Sequence, residues 1–564
     1  MEAVENLLCS LRAIVGTANV LTRPAAKRRY CRGYRYGQGE AAAVVRPGSL
    51  IEMWHVVQAC HQADVIMICQ AANTGLTGGS TPAEGAYDRP LIVMNTLRLR
   101  GLTLLDEGRQ VVTQPGVTLE QLERTLKPLG REPHSVIGSS CMGASVTGGI
   151  CNNSGGSLIR RGPAYTELAL FAQVDALGQL QLVNHLGLDL GASPEEILAR
   201  LERGDLADMK ENADHGARHA SDHEYARHVR DVQAASPARY NADPRRLYEA
   251  SGSAGHVVVF ALRLDTFAAD VAPSVFYIGS NDPAELEDIR RSMLSHCKHL
   301  PIAGEYLHRS AFEASERYGK DLFLFIRHCG TERLMQAYAI KSRVDAWLEK
   351  LGLRSGTTDR LLQRLSGCLP PHLPARLILW RDRYAHHLLL KMPQEGAQEA
   401  RQMLQERLPS ASGDFFECGE EEGRAAFLNR FVVGAAIVRY RAVHAEEVED
   451  IVALDIALPR NTREWFTPLP REIDDKIRFT MLCGHFFCHV MHQEYLVRKG
   501  EDCEAIKDAI LTLLEAKGAK YPAEHNVGHQ YKAEPALENF YRRLDPTNSF
   551  NPGIGKTSRR KHWR

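Results

Sequence analysis

The segment HSVIGSSCMGASVTGGICNNSGGS, from His134 to Ser157, decides how this chain is read. A stretch so rich in Gly and Ser makes neither an ordinary helix nor an ordinary strand, because each glycine gives up backbone entropy and brings no side chain to pack. Such a segment is suited to pressing backbone closely against a flat ligand. A second stretch, QAANTGLTGGSTP from Gln70 to Pro82, follows directly on the strand-like DVIMIC that ends at Cys69. Small residues at Ala71, Ala72, Gly75, Gly78 and Gly79 let backbone N–H groups crowd around an anion, while Asn73, Thr74 and Ser80 add side-chain donors. A diphosphate is the natural guest. Either loop alone could be a set of tight turns; both together point to a dinucleotide-type cofactor.

Around these loops, from Ala41 to about Asp265, short β-like runs alternate with helical stretches, the pattern of an α+β domain. SLIEMWHVVQACHQAD, starting at Ser49, spaces its apolar residues for a helix whose first turn Ser49 can cap. The polar, weakly periodic stretch from Leu186 to Ala250 reads as a solvated surface excursion, and GHVVVFALRL from Gly255 as a buried strand. Between Tyr306 and Arg383 the composition shifts to 14 Lys/Arg against 8 Asp/Glu, interleaved with LFLFI, WLEKLGL and LILW. That excess suits an anionic phospholipid surface, at ~1 kcal/mol per basic group near the headgroups. His386 and His387 precede LLLKM and read as the start of a strand.

Several function classes are excluded. With 564 residues, 44% apolar and 24% charged, the chain is an ordinary globular protein of two or three domains. Lys plus Arg equals Asp plus Glu at 69 each, so no global basic footprint points to nucleic acid. Thirteen cysteines, none in CxxC spacing, argue for reduced thiols rather than a disulfide scaffold or zinc ribbon, and Cys483 and Cys488 read as buried thiols. The start, MEAVENLLCSLRAIVG, is acidic where a signal peptide would be basic, and the longest apolar run, FVVGAAIV from Phe431, is too short to cross a bilayer. GQGEAA from Gly37 lacks a preceding strand, and GIGKT near Lys556 has Phe550 where a phosphate loop needs its first glycine.

NTGLTGG, QPGVTLEQL, GGICNNSGG, GHVVVFALRL, EHNVGH and DPTNSFNPGIGK resemble the motifs of the vanillyl-alcohol-oxidase-type FAD flavoproteins. Within them, REPHSVIGSSCMGASVTGGICNNSGGSLIRRGPAYTE and YPAEHNVGH look like the bacterial quinone-dependent D-lactate dehydrogenases, along essentially the whole chain. The resemblance implies an α+β fold: a two-subdomain FAD-binding domain (1–264, completed by 515–564) and an α/β cap domain (265–514) interrupted by a basic helical membrane-binding insertion (306–383). It places FAD on Ala71, Ala72, Asn73, Thr74, Gly75, Gly79 and Ser80, with Gly138, Ser145 and Gly155 along the second loop and Val257 at the adenine end. Covalently flavinylated members have a histidine in the first loop; TGGST has none, so the FAD is expected to be non-covalent. The implied activity is oxidation of D-lactate to pyruvate with a membrane quinone as acceptor. The enzyme would be peripheral, on the cytoplasmic face of the bacterial inner membrane.

Oxidation of a 2-hydroxy acid needs a base for the hydroxyl proton and a hydride acceptor. GHFFCHVMH sets His485 and His492 seven residues apart, and EHNVGH puts Glu524 beside His525. On one helix the two histidines would fall near one face, on one strand on opposite faces. Two imidazoles and a carboxylate suit a divalent metal with an open position. The related 2-hydroxy-acid dehydrogenases use this pattern as metal ligands plus a catalytic histidine, though here FFCHVM replaces their intervening residues. His525 is the expected base, since imidazole titrates near 6.5, with His485, His492 and Glu524 as metal ligands or Glu524 as the orienter of its neighbour. Arg430 is the expected partner of the substrate carboxylate, with Arg439 close by. The family's lysine before an aspartate is Ala453 in VALDIALPR, which leaves Arg460 as a substitute. Rival readings are a flavin dehydrogenase for glycolate or D-2-hydroxyglutarate, a zinc hydrolase on the two histidines and Glu524, and a non-catalytic membrane adaptor.

Overall fold

The computed structural model describes residues 2–85, 87–134, 142–206, 218–354 and 356–564. Two sheets precede residue 266. In the first, Ala43–Val45, Leu91–Asn95 and Ile66–Gln70 run parallel and Val20–Leu21 adds an antiparallel edge. Leu91–Asn95 is buried at every position, as a parallel strand covered on both faces must be. The helix Leu50–Gln62 packs on this sheet; Ser49 caps it, its hydroxyl accepting from Glu52 N at 3.0 Å. In the second sheet Val258–Asp265 lies between Gln110–Thr113 and Ala169–Val174, with Leu102–Leu105 and Leu180–Asn184 at the edges. The GHVVVFALRL run forms this central buried strand.

A third, seven-stranded antiparallel sheet follows, in the order Gly413–Glu417, Ser274–Ser280, His386–Met392, Ala303–His308, Ile477–His485, Val490–Arg498, Val448–Ala457. The helices Arg309–Tyr318, Lys320–Cys329, Leu334–Lys350, Thr357–Gly367 and Ala375–Arg383 are inserted between two neighbouring strands of this sheet, Ala303–His308 and His386–Met392. Tyr306 is therefore a buried strand residue, and the helical part of the basic segment starts at Arg309. Among the described residues no helix is long and apolar enough to cross a membrane. The basic helices nevertheless carry many exposed large apolar side chains, Ile340, Trp347, Leu361, Leu365 and Leu379 among them.

The chain end returns to the first sheet. Met67 N donates to Ser549 O and Asn551 N to Met67 O, both at 2.9 Å. Asn551 Nδ2 donates to Gly79 O at 2.8 Å and to Ala254 O at 2.6 Å. Asn551, just before GIGKT, thus ties the first Gly-rich loop to the approach of the central strand.

The 186–250 stretch is more than a solvated excursion. Tyr225, Val229, Arg239, Asn241 and Asp243 are buried, and Arg239 reaches the middle of the molecule, because a buried carboxylate described below requires its charge. Residues 207–217 of this stretch lie outside the described residues.

The hairpin of Ile477–His485 and Val490–Arg498 turns through Phe486–Cys488, with His489 at φ 53°. Glu287 of the helix Pro283–His296 anchors that turn. Its carboxylate takes Arg290 Nε and Nη2, each at 2.8 Å, and lies 2.9 Å from His489 Nε2. Burial opposes its charge, but Arg290 and His489 outweigh burial and lower its pKa to about 2. Glu287→Gln is expected to cost about 3 kcal/mol, because it leaves Arg290 buried without a counter-charge. A depressed carboxylate pKa stabilises above the unfolded value and loses that effect as pH falls through the folded one. Urea titrations should therefore show the full wild-type advantage above pH about 4.5, shrinking toward pH 2.

Candidate active site

A cleft of about 1680 Å³ runs between the first two sheets and the third, larger than the roughly 300–1,000 Å³ of ordinary small-molecule pockets. Both Gly-rich loops line it. Ala71, Ala72, Asn73, Thr74, Gly75, Gly79, Ser80, Ser145, Gly155 and Val257 are all on its wall. Gly138 lies outside the described residues.

The first loop is held by its own side chains. Asn73 adopts φ 56°, a left-handed conformation that Asn tolerates. Its Oδ1 accepts from Ser80 Oγ at 3.0 Å and its Nδ2 donates to Arg32 O at 2.9 Å. Asn73 and Ser80, two of the side chains read from the sequence as donors to a guest, are thus engaged with protein partners. A Cβ placed on Gly75 would meet nothing within 4 Å among the described residues. In the second loop Ser145 caps the short helix Val146–Cys151, accepting from Gly148 N at 3.0 Å, and the Thr147 hydroxyl on the cleft wall is buried without a hydrogen-bond partner among the described residues. This backbone-lined cradle with an unspent hydroxyl fits a dinucleotide.

The segment Glu524–His529 staples the two loops together. Thr77 Oγ1 donates to Asn526 O at 2.7 Å, His529 N donates to Thr77 O at 3.0 Å, and Asn526 Nδ2 donates to Asn152 Oδ1 at 2.7 Å. Gly528, at φ 52°, allows this approach: a Cβ there would sit 2.2 Å from Thr77 O.

The same segment carries Glu524 and His525 into the cleft. Glu524 Oε2 lies 3.2 Å from His485 Nε2 and 3.9 Å from His492 Nε2, and its Oε1 takes Arg239 Nη2 at 2.5 Å. His485, His492 and Glu524 form the potential metal-holding cluster among the described residues, their ligand atoms within 4.8 Å of one another. The two histidines come from neither a single helix nor a single strand. Cys483 pairs with His492 across the hairpin, which places His485, two residues further on, on the same face and diagonal to His492. Each histidine turns its other nitrogen to a carboxylate: His485 Nδ1 to Glu305 at 2.6 Å, and His492 Nδ1 to Asp455 at 3.5 Å. That arrangement orients both Nε2 atoms toward Glu524, the backing that metal-ligating histidines require.

Asp455 also orders His525. His525 Nδ1 lies 2.6 Å from Asp455 Oδ2, and the same oxygen accepts from Glu524 N at 2.7 Å. His525 therefore has Nε2 left for the cleft that it lines. Arg430, also on the wall, is ion-paired through Nε to Glu305 at 2.9 Å.

The pKa pattern follows from this geometry. Burial disfavours charge on His485, but Glu305 and Glu524 outweigh it and push its pKa up to about 10. His492 is held down to about 4 by burial, with His485 and Arg430 adding to it against Asp455 and Glu524. For His525 burial is outweighed by Asp455, which raises the pKa. Glu524, Glu305 and Asp455 are buried yet stay below the usual carboxylate range because of the histidines and arginines beside them. A divalent cation at the two Nε2 atoms and Glu524 would displace the proton that His485 otherwise holds.

Two expected arginines are committed to other partners, and one of them lies outside the cleft. Arg460 is buried away from the cleft, its Nε donating to Ser236 O and its Nη2 to Ser236 Oγ, each at 3.0 Å. It does not replace the missing lysine. Arg439 lines the cleft but is committed to Asp321 and Asp359, at 3.0 and 2.9 Å. Conversely, sequence reasoning missed Glu305, Asp455 and Arg239. It also missed Arg35, which lines the cleft 3.6 Å from Glu494. The detectable signal for Glu305 and Asp455 was a buried-type strand position with a carboxylate flanked by apolar residues.

Comparison with known proteins agrees with this architecture. Residues 275–563 match the family described as D-lactate dehydrogenase, membrane binding, and residues 41–181 match the FAD binding domain family. The chain is 55% identical to the quinone-dependent D-lactate dehydrogenase of Escherichia coli over 99% of this chain and 97% of that protein. It is 53% identical to the Haemophilus influenzae protein of the same name, over the full length of both. Among solved structures, p-cresol methylhydroxylase with substrate bound superposes with a TM-score of 0.58 at 12% identity, covering 99% of this chain and 97% of that one, a likeness of fold.

Gly155 explains itself against Glu524: an added Cβ would lie 2.3 Å from Glu524 Oε1 and under 3 Å from the carboxylate carbon. Gly155→Ala should therefore push Glu524 off the histidine pair. Divalent-metal affinity is expected to fall by roughly 10–100-fold, measured as metal retained per chain after dialysis.

Proposed function

The chain belongs to the membrane-binding D-lactate dehydrogenase family, and from that membership we propose how its cleft performs the reaction. The protein is a peripheral membrane FAD enzyme that oxidises D-lactate to pyruvate and uses a quinone as acceptor. Residues 1–264 with 515–564 form the cofactor unit and 265–514 the cap, the two loops holding non-covalent FAD through backbone contacts. Bound FAD supplies the acceptor for the substrate hydride.

The observation that carries the assignment of roles is the Asp455–His525 pair standing in one cleft with Arg430 and the His485/His492/Glu524 cluster. Arg430 offers its guanidinium to the lactate carboxylate, Glu305 holding the Nε side in place. His525 takes the hydroxyl proton at Nε2, and Asp455 fixes the tautomer and steadies the imidazolium that results. His485, His492 and Glu524 are the residues that would hold a divalent cation, whose charge would favour the alkoxide over the alcohol. The surrounding carboxylates Glu305, Glu524 and Asp455 favour positive charge at that point.

The basic helices dock on anionic phospholipid, on the cytoplasmic face of the inner membrane. Their exposed apolar side chains sit among exposed Arg333, Arg343, Arg354 and Arg364, the pairing of charge and apolar surface that a bilayer interface selects.

Asp455→Asn should lower kcat for D-lactate by roughly 10²-fold or more with FAD content unchanged, and His525→Ala by roughly 10³-fold. Arg430→Gln should raise KM, with partial rescue in Arg430→Lys. Wild-type turnover in His525→Ala would refute its role as base. Replacing Arg333, Arg343, Arg354 and Arg364 together by Gln should weaken binding to anionic vesicles by about 4 kcal/mol, read by sedimentation; turnover of D-lactate with a soluble acceptor should be retained.

A further inference from the structure

The cleft does not end at the histidine cluster. It continues between the helices Lys320–Cys329, Leu334–Lys350, Thr357–Gly367 and Val433–Val443, where its wall turns apolar at Leu322, Phe325, Ile340, Val344, Leu362 and Val438. Ile340, Val344 and Val438 are also solvent-exposed, so this end is a mouth. The mouth belongs to the same helices that carry the exposed apolar and basic side chains assigned above to the bilayer.

Along the same passage a polar girdle joins the four helices. Arg439 pairs with Asp321 at 3.0 Å and with Asp359 at 2.9 Å, and Lys341 pairs with Asp359 at 2.9 Å and with Asp345 at 3.0 Å. Arg439, Lys341, Asp321 and Asp359 all line the cleft. Among the described residues Arg439 Nη1 and Asp321 Oδ1 are buried without hydrogen-bond partners, so the girdle keeps an unspent donor and an unspent acceptor. Lactate oxidation uses none of these groups.

We propose that this passage is the docking site of the acceptor quinone, its hydrocarbon tail among Leu322, Phe325, Ile340, Val344, Leu362 and Val438 and its ring carbonyl at Arg439 Nη1. A quinone is a flat ring with carbonyl acceptors on a long apolar tail, which matches a polar girdle beside an apolar passage. Lactate is small and charged and gains nothing from apolar walls, and a lone buried arginine nitrogen is a poor match for a phospholipid phosphate. A quinone reaching the cleft from the bilayer would not have to cross water. The assignment rests on the reaction proposed above for the same cleft.

The test separates the two half-reactions of the holoenzyme. Anaerobic bleaching of the flavin by D-lactate is followed first, then its reoxidation by a short-tailed ubiquinone analogue. Val438→Trp, which plugs the mouth, and Arg439→Gln should each raise KM for the quinone at least about tenfold, with partial recovery in Arg439→Lys and wild-type bleaching in all three. An azido-quinone should photolabel peptides of Leu334–Lys350 and Val433–Val443 in the wild type, and less in Val438→Trp. Unchanged quinone KM with labelling elsewhere would overturn the site. So would equal slowing of bleaching and reoxidation, which would make the passage a route for lactate. Labelling displaced by phosphatidylglycerol vesicles while quinone kinetics stay unchanged would reduce it to a lipid contact. A wild-type holoenzyme that D-lactate fails to bleach would overturn the reaction itself, which the photolabel reads separately.

Discussion

A carboxylate buried as deeply as Glu524 must be compensated, and much of the molecule is arranged to do so. The effective penalty for burying an ion is several kcal/mol even after relaxation. One oxygen is met by Arg239 and the other by the histidine pair, while the backbone N–H of Glu524 is tied to Asp455. These partners come from the 186–250 stretch, the last hairpin of the third sheet and its edge strand. Gly155 of the second cofactor loop completes the fit by presenting no side chain. Satisfying one carboxylate thus fixes how cofactor loops, cap sheet and returning chain end sit together.

The same arrangement divides protonation among three histidines of one type. His485, flanked by Glu305 and Glu524, holds a proton; His492 is driven neutral by burial beside it; His525 is tuned by Asp455. Three carboxylates meet two arginines there, and they favour a proton on His485 and raise the pKa of His525 as well. The seven-residue spacing matters only because the hairpin turn converts it into a diagonal pair, and Glu287, buried behind His489, holds that turn.

Much of this was legible in the sequence, for identifiable reasons. The Gly-rich loops, the GHVVVFALRL strand, the Ser49 cap and the His386 strand start follow from local composition and periodicity, which the fold preserves. What could not be read is what tertiary pairing creates. The relation of His485 to His492 depends on a reversal of chain direction that periodicity does not encode. Arg239 lies in a segment whose composition is that of a surface loop, yet a partner 285 positions away pulls it inside. Asp455 and Glu305 are carboxylates flanked by apolar strand residues, and only the register with the hairpin shows that they back the histidines. Arg460 was placed in the site by proximity to VALDIALPR, and it instead supports backbone carbonyl and hydroxyl groups of the 228–236 stretch.

The basic helices obey two solvents at once. Outward they expose Ile340, Trp347, Leu361, Leu365 and Leu379, apolar area that would be a liability in water and is matched by a lipid surface rimmed with arginines. Inward they are not joined by apolar packing alone, since Arg439, Asp359, Lys341 and Asp321 form a partly buried ion-pair chain across them. Such a chain is weak evidence for stability, because desolvation offsets most of its attraction. Its position accounts for it better: it runs along the open end of the cleft, where a continuous apolar core would close the passage and a hydrated gap would break the contact with lipid. A polar seam between amphipathic helices thus lines one end of the cleft beside the apolar side chains that face the bilayer.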